Sequence, residues 1–138
     1  MQVATVVSEI VPFSKTGGLG DVAGALPATL SELGTDVFVI TPFYRCVREN
    51  AEKLGLELET SFAEVEVSVG DWQQSAEVIR STMPGTDVPV YLLDNPHYYD
   101  RPGLYVNPTN GSDHEDNSER FIFLSRAAAE LCCKLGLK

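Results

Sequence analysis

Residues 3–41 read V-A-T-V-V-S-E-I-V-P-F-S-K-T-G-G-L-G-D-V-A-G-A-L-P-A-T-L-S-E-L-G-T-D-V-F-V-I-T. The stretch opens on an apolar, β-branched run at residues 3–8 and closes on another at 36–41. Continuous runs of this kind are the pattern of strands buried on both faces of a parallel sheet. Between them Leu19, Val22, Leu26, Leu30 and Leu33 recur at intervals of three and four. That spacing predicts a helix with one apolar stripe, stopped by Gly34 and kinked at Pro27. Strand, helix, strand is a βαβ unit with a right-handed crossover.

Outward from this unit the texture changes. Val65, Val67 and Val69 alternate with Glu66 and Ser68, the Gly70-Asp71 turn signal follows, and residues 75–82 form a second extended run. This predicts a β-hairpin with one wet face, lying outside the parallel sheet. Residues 88–93, between Pro84-Gly85 and Asn95-Pro96, predict a third strand of that sheet. Residues 94–117 are rich in Pro, Asn, Asp, Gly and Tyr and lack periodicity, so they read as one long loop. Asp116 with Glu119 predicts a capping box opening a last helix, whose stripe is Phe121, Leu124, Ala128, Leu131 and Leu135. The fold class is therefore α/β: a Rossmann-like open parallel sheet with flanking helices and a β-hairpin. Residues 1–138 make one domain. A βα pattern that closes on a helix at Gly136-Leu137 ordinarily runs on into another strand, so the domain is expected to be truncated. The edge of such a sheet would invite self-association.

At 138 residues, 43% hydrophobic and 22% charged, the composition is that of a folded soluble domain that buries roughly two-thirds of its unfolded surface. No segment approaches the ~20 apolar residues of a membrane span, and the N-terminus lacks the basic region of a signal peptide. The expected compartment is the cytoplasm. Cys46, Cys132 and Cys133 include a vicinal pair and no C-x-x-C, which speaks for reduced structural thiols rather than disulfides or zinc. A net charge of −10 repels polyanions, so nucleic acid is not an expected partner. A phosphorylated ligand would have to be held by local N–H groups and a well-placed cation.

Residues 15–24, K-T-G-G-L-G-D-V-A-G, supply such a device. Glycines let a ligand approach the backbone and permit positive φ, and free N–H groups at a helix N-terminus attract anions. Taken alone, the loop fits a tight turn beside a surface lysine as well. A dinucleotide fingerprint fits poorly, because residues 9–16 separate the strand from the glycines and Thr41-Pro42 stands where a ribose-binding acid is expected. A Walker loop is excluded, since Lys15 precedes the glycines.

The segment M-Q-V-A-T-V-V-S-E-I-V-P-F-S-K-T-G-G-L-G-D-V-A-G-A-L-P resembles the N-terminus of the bacterial- and plant-type glycogen and starch synthases, whose hallmark is K-x-G-G-L after S-E-x-x-P. Asn95-Pro96-His97-Tyr98-Tyr99-Asp100-Arg101, Leu104-Tyr105, Asp116-Asn117 and Arg120-Phe121 are similar to family segments in the same order, so the resemblance covers the whole chain. It implies the N-terminal domain portion of a GT-B glycosyltransferase, lacking the C-terminal nucleotide-binding domain. The parent enzyme would be a retaining glucosyltransferase moving glucose from ADP-glucose to the non-reducing end of a (1→4)-α-D-glucan, with the 138-residue chain inactive by itself. The alternative is a non-catalytic short paralogue that binds glucan or nucleotide.

In the family the lysine of the hallmark contacts the sugar nucleotide's phosphates, which places Lys15 there. Gly17 and Gly18 would lie against the diphosphate or the glucose. Asp21 either accepts hydrogen bonds from a sugar hydroxyl or complements the helix dipole. Glu9, at the carboxyl end of the first strand, either meets the acceptor glucan or anchors the loop. Tyr98, Tyr99 and Tyr105 either offer flat faces to glucose rings or pack the loop. His97 and His114 have no metal-ligand spacing. With no Asp-x-Asp motif, the resemblance implies a site without metal or cofactor. The catalytic groups are expected outside these residues, and adenine is favoured over uracil in the donor by resemblance alone.

Overall fold

The computed structural model describes residues 1–136, with the side chains at 60–62 set aside; Leu137 lies outside the described residues. Five strands form one mixed sheet: β1 (Gln2–Val6), β2 (Asp36–Pro42), β3 (Glu59–Val69), β4 (Trp72–Thr82) and β5 (Pro89–Asp94), in the order β1-β2-β5-β4-β3. The first pair is parallel with Val3 opposite Val37 and Thr5 opposite Val39, and β2 runs parallel to β5 with Val39 opposite Val90. The three runs expected to share a parallel sheet do so.

The hairpin corrects the expectation that it would lie outside. β4 pairs antiparallel with β5, Val78 opposite Leu93, and β3 pairs antiparallel with β4, so the hairpin extends the sheet. Its wet-face alternation is half-buried sheet, with Val65, Ala76 and Val78 turned to the core. Gly70 closes the turn at φ 60°, a conformation that glycine adopts without cost.

Burial also departs from the pattern at β1. The inner strand β2 is buried from Val37 onward, whereas β1 is an edge strand only partly covered, with Val6 exposed. Helix α1 (Gly18–Glu32) runs through Pro27 without a break and buries a face of small residues, Gly20, Ala23 and Pro27. The expected apolar stripe points the other way: Leu19, Val22, Leu26 and Leu33 are exposed, and only Leu30 packs against the core. Small residues win the inner face because α1 lies close to the loop before it. A Cβ at Gly24 would sit 3.0 Å from the Val11 carbonyl oxygen.

After β2 come the short α2 (Arg45–Asn50) and then the hairpin; after β5 comes α3 (Pro96–Tyr99). The expected long loop is ordered further by the two-residue strands β6 (Val106–Asn107) and β7 (Ser112–Asp113). Helix α4 (Asn117–Lys134) packs chiefly on β3 and reaches β1, β2 and β4. Of its expected stripe, Leu124, Ala128 and Leu131 are buried, joined by Phe123, Ala127 and the charged Arg120. Asp116 is the N-cap residue, but no capping box forms: its carboxylate accepts instead from Arg101 at 2.7 and 3.0 Å. Burial pulls the Asp116 carboxyl upward, and the Arg101 guanidinium outweighs it, leaving the group below its ordinary range. Among the described residues no helix is long and apolar enough to cross a membrane.

Candidate functional site

The site is built at the carboxyl ends of the parallel strands, where the chain leaves β1 toward α1 and β5 toward α3, the end at which open α/β sheets bind ligands. From β1 the backbone turns through Ser8 and Glu9 into a loop held by its own main chain. Ser14 N donates to Ile10 O at 2.8 Å, and Val11 N donates to Gly20 O at 3.1 Å, pinning the loop to the first turn of α1.

Glu9 is 3% exposed. Its Oε2 accepts from the Thr16 amide at 2.5 Å and from the Thr16 hydroxyl at 2.7 Å. These contacts match the anchoring role among the two its position allows. The buried acid turns toward the loop and holds the residue before the glycine pair.

Gly17 is the N-cap of α1 at φ −152°, ordinary extended backbone. None of Gly17, Gly18, Gly20 and Gly24 adopts positive φ, so backbone conformation does not require glycine at these positions. A Cβ on Gly18 would meet nothing within 4 Å, and one on Gly17 only the Glu9 Oε1 at 4.0 Å. The α1 N-terminus therefore opens on free space, and no side chain caps it. Gly20 differs, since a Cβ there would press on Lys15 at 3.2 Å.

Lys15 lies at the rim of this opening. Its Nζ donates to both carboxylate oxygens of Asp21 at 2.7 Å, and both side chains are about half exposed. The structure thus brings together Lys15, Gly17, Gly18 and Asp21 at one helix terminus. A partly exposed pair of this kind is worth ~0–1 kcal/mol, so exchanging Asp21 for another anion would cost Lys15 little.

The aromatic candidates divide. Tyr98 and Tyr99 are buried at 1% and 0%, packed on Phe123 and on each other, and Tyr99 also meets Tyr44 edge-on at 5.5 Å. This corrects their place among the residues facing a glucan. They are core, because Asn95 accepts from the Tyr98 amide at 3.0 Å and rolls the α3 turn inward. Burial pushes both hydroxyls above the usual phenol range. Tyr105 remains at the site: its hydroxyl lies 2.7 Å from Ser8 Oγ, linking the β5 side to the end of β1. Burial raises the Tyr105 hydroxyl as well, and the Ser8 hydrogen bond draws it back. His114 bonds Gly103 O through its ring at 3.3 Å, and the His97 ring lies tilted against Tyr98 at 5.0 Å, so both are parts of the loop.

Two features escaped the sequence reading. The Ser8–Tyr105 contact spans 97 residues and leaves no local signal. The buried Arg120 did leave one, since it stands one helical turn before Leu124 on the inward stripe.

Comparison with known proteins gives the chain's family. Residues 2–138 match the family model described as starch synthase catalytic domain. The chain is 41% identical over 138 residues to glycogen synthase of Photobacterium profundum and 37% identical over 138 residues to that of Thermotoga maritima. Those alignments take in the whole chain and 26% and 27% of the two relatives, so the chain spans about a quarter of their length. Among solved structures, the catalytic domain of starch synthase IV from Arabidopsis thaliana, bound to ADP and acarbose, superposes with a TM-score of 0.80 at 27% identity, over 98% of this chain and 26% of that one. With a family match over nearly every residue and a Lys15–glycine loop at the strand ends, the chain belongs to the starch synthase catalytic domain family.

Proposed function

We propose that residues 1–138 form the glycine-loop wall of the donor site in a longer, retaining GT-B glucosyltransferase that extends a (1→4)-α-glucan from ADP-glucose. The observation that carries this reading is the open α1 N-terminus, with Lys15 at its rim and clear space above Gly17 and Gly18. The Lys15 ammonium and the amides at the helix start would receive the diphosphate, and Asp21, released from Lys15, would accept from a sugar hydroxyl. Tyr105 would border the glucose or the acceptor. The acceptor's 4-hydroxyl oxygen replaces the diphosphate on the same face of the anomeric carbon while its proton passes to the departing ADP, giving ADP and a glucan longer by one residue. Preorganised donors at the leaving diphosphate are where catalysis is gained.

The longer protein is supported by surfaces left uncovered here. Val6 at the end of β1 and the outward-facing Leu19, Val22, Leu26 and Leu33 are apolar and exposed, and several large apolar side chains left to water fit cover by a further part of the protein. The naming of the relatives as glycogen synthases and the ADP in the Arabidopsis neighbour support the choice of donor. The free cysteines are in keeping with the cytoplasm as its compartment.

The test is incorporation of labelled glucose into glycogen, with ADP-glucose and UDP-glucose as rival donors. The complete protein is expected to transfer from ADP-glucose, and the 138-residue chain alone to stay at the level of a mock preparation. Transfer by the isolated chain, or none by the complete protein from either donor, would overturn the reading.

A further inference from the structure

Arg120 is a fully buried cation for which no salt bridge is found among the described residues. A buried guanidinium without a carboxylate is costly unless its donors are satisfied, and here Nη2 has no hydrogen-bond partner among the described residues, so what Nε and Nη1 hold is informative. Nε donates to Tyr98 O at 2.8 Å, and Nη1 donates to Leu104 O at 2.8 Å and to Asn117 Oδ1 at 2.7 Å. The Asn117 amide in turn donates to Tyr105 O at 2.9 Å, and the His114 N–H donates to the same oxygen at 3.0 Å. The peptide before Tyr105 is thus tied to Arg120 directly and the one after it through Asn117. At the other end of the residue, the hydroxyl rests on Ser8, next to the acid that anchors the glycine loop.

From this chain of contacts we infer that Arg120 is a positioning residue for the transfer reaction, setting Tyr105 against the end of β1 so that the β5 loop and the glycine loop face one ligand. The inference rests on the proposed glucosyl transfer. Core packing alone would not select arginine here, because an apolar side chain fills an interior at no desolvation cost. The three oxygens it grips all belong to the segment that delivers Tyr105 or to the first turn of α4. The diphosphate contacts lie on the other loop, so disturbing Arg120 should affect turnover more than donor binding.

In the complete protein, Arg120→Lys keeps the charge but cannot reach the three acceptors in one plane. Its kcat is expected to fall about 100-fold, the scale of a displacement near 1 Å in a reacting geometry, with the Kd for ADP changed less than about threefold. Combined with Tyr105→Ala, its loss should not multiply, because both act through one group. Asn117→Ala cuts the same link without stranding a charge and should lower kcat about tenfold, which keeps the proposal testable if Arg120→Lys misfolds. Wild-type kcat in Arg120→Lys or in Asn117→Ala, or fully multiplicative losses in the double variant, would overturn it. If the unmodified protein transfers no glucose, the proposed reaction fails, and the positioning claim is read from amide exchange. Arg120→Lys should then speed exchange at the His114 amide while the amides of β2 and β5 keep their protection, and uniform loss across the sheet would contradict it.

Discussion

Lys15→Ala in the complete protein is expected to reduce kcat/KM for the sugar nucleotide by about 10- to 150-fold, the equivalent of one charge-assisted hydrogen bond worth roughly 1.5–3 kcal/mol. Steady-state kinetics measure it. The free-state partner of Lys15 is Asp21, and that pair is half exposed, so the ligand trades a weak ion pair for a stronger one with a doubly charged diphosphate. Because charge gathers on the diphosphate as it departs, kcat should fall along with affinity; a change confined to KM would mean equal binding of ground and transition states. Folding should be little affected, since Lys15 contributes only that exposed pair. Lys15→Arg is not a neutral control. The Lys15 stem already lies where a Cβ at Gly20 would come within 3.2 Å, and a planar fork needs more room.

The largest stability effect is expected at Gly103. Its φ is +74°, and a Cβ there would overlap the Val106 carbonyl oxygen and come within 3.3 Å of Pro108. An L-residue in this region costs roughly 1–2 kcal/mol, and a backbone that cannot retreat adds to it. Gly103→Ala is therefore expected to cost about 3 kcal/mol, lowering Tm by roughly 10 °C for a domain of this size. Gly85→Ala is the internal control, because φ there is +77° and the space is open; its loss should be about half or less. Equal melting shifts for the two variants would show that the Gly103–Val106 approach carries no energy. Gly103 O also meets His114, and Leu104 is gripped by Arg120, so the same substitution should slow turnover by moving Tyr105.

The βαβ opening was legible because strand burial is written in composition: after Asp36, residues 37–40 are all apolar and lie inside the sheet, buried from Val37 to Pro42. The glycine loop was legible because its residue types have few other uses together. The orientation of α1 was not, since periodicity identifies a stripe but not what covers it. Here Gly20, Ala23 and Pro27 take the inner face and leave Leu19, Leu26 and Leu33 outside. The hairpin's position was hidden for a related reason, as alternation records one wet face and says nothing of the neighbouring strand. Tyr98 and Tyr99 look identical to Tyr105 in sequence. Only the α3 turn, capped by Asn95, turns the first pair inward while Tyr105 reaches Ser8.

The most direct test of the donor-site claim is a structure of the complete protein with ADP bound. The expected result places diphosphate oxygens within hydrogen-bond reach of the Lys15 ammonium and of the amides at Gly17 and Gly18, with the Lys15–Asp21 pair opened. A diphosphate held elsewhere, with Lys15 still on Asp21 and the α1 N-terminus facing only solvent, would contradict it.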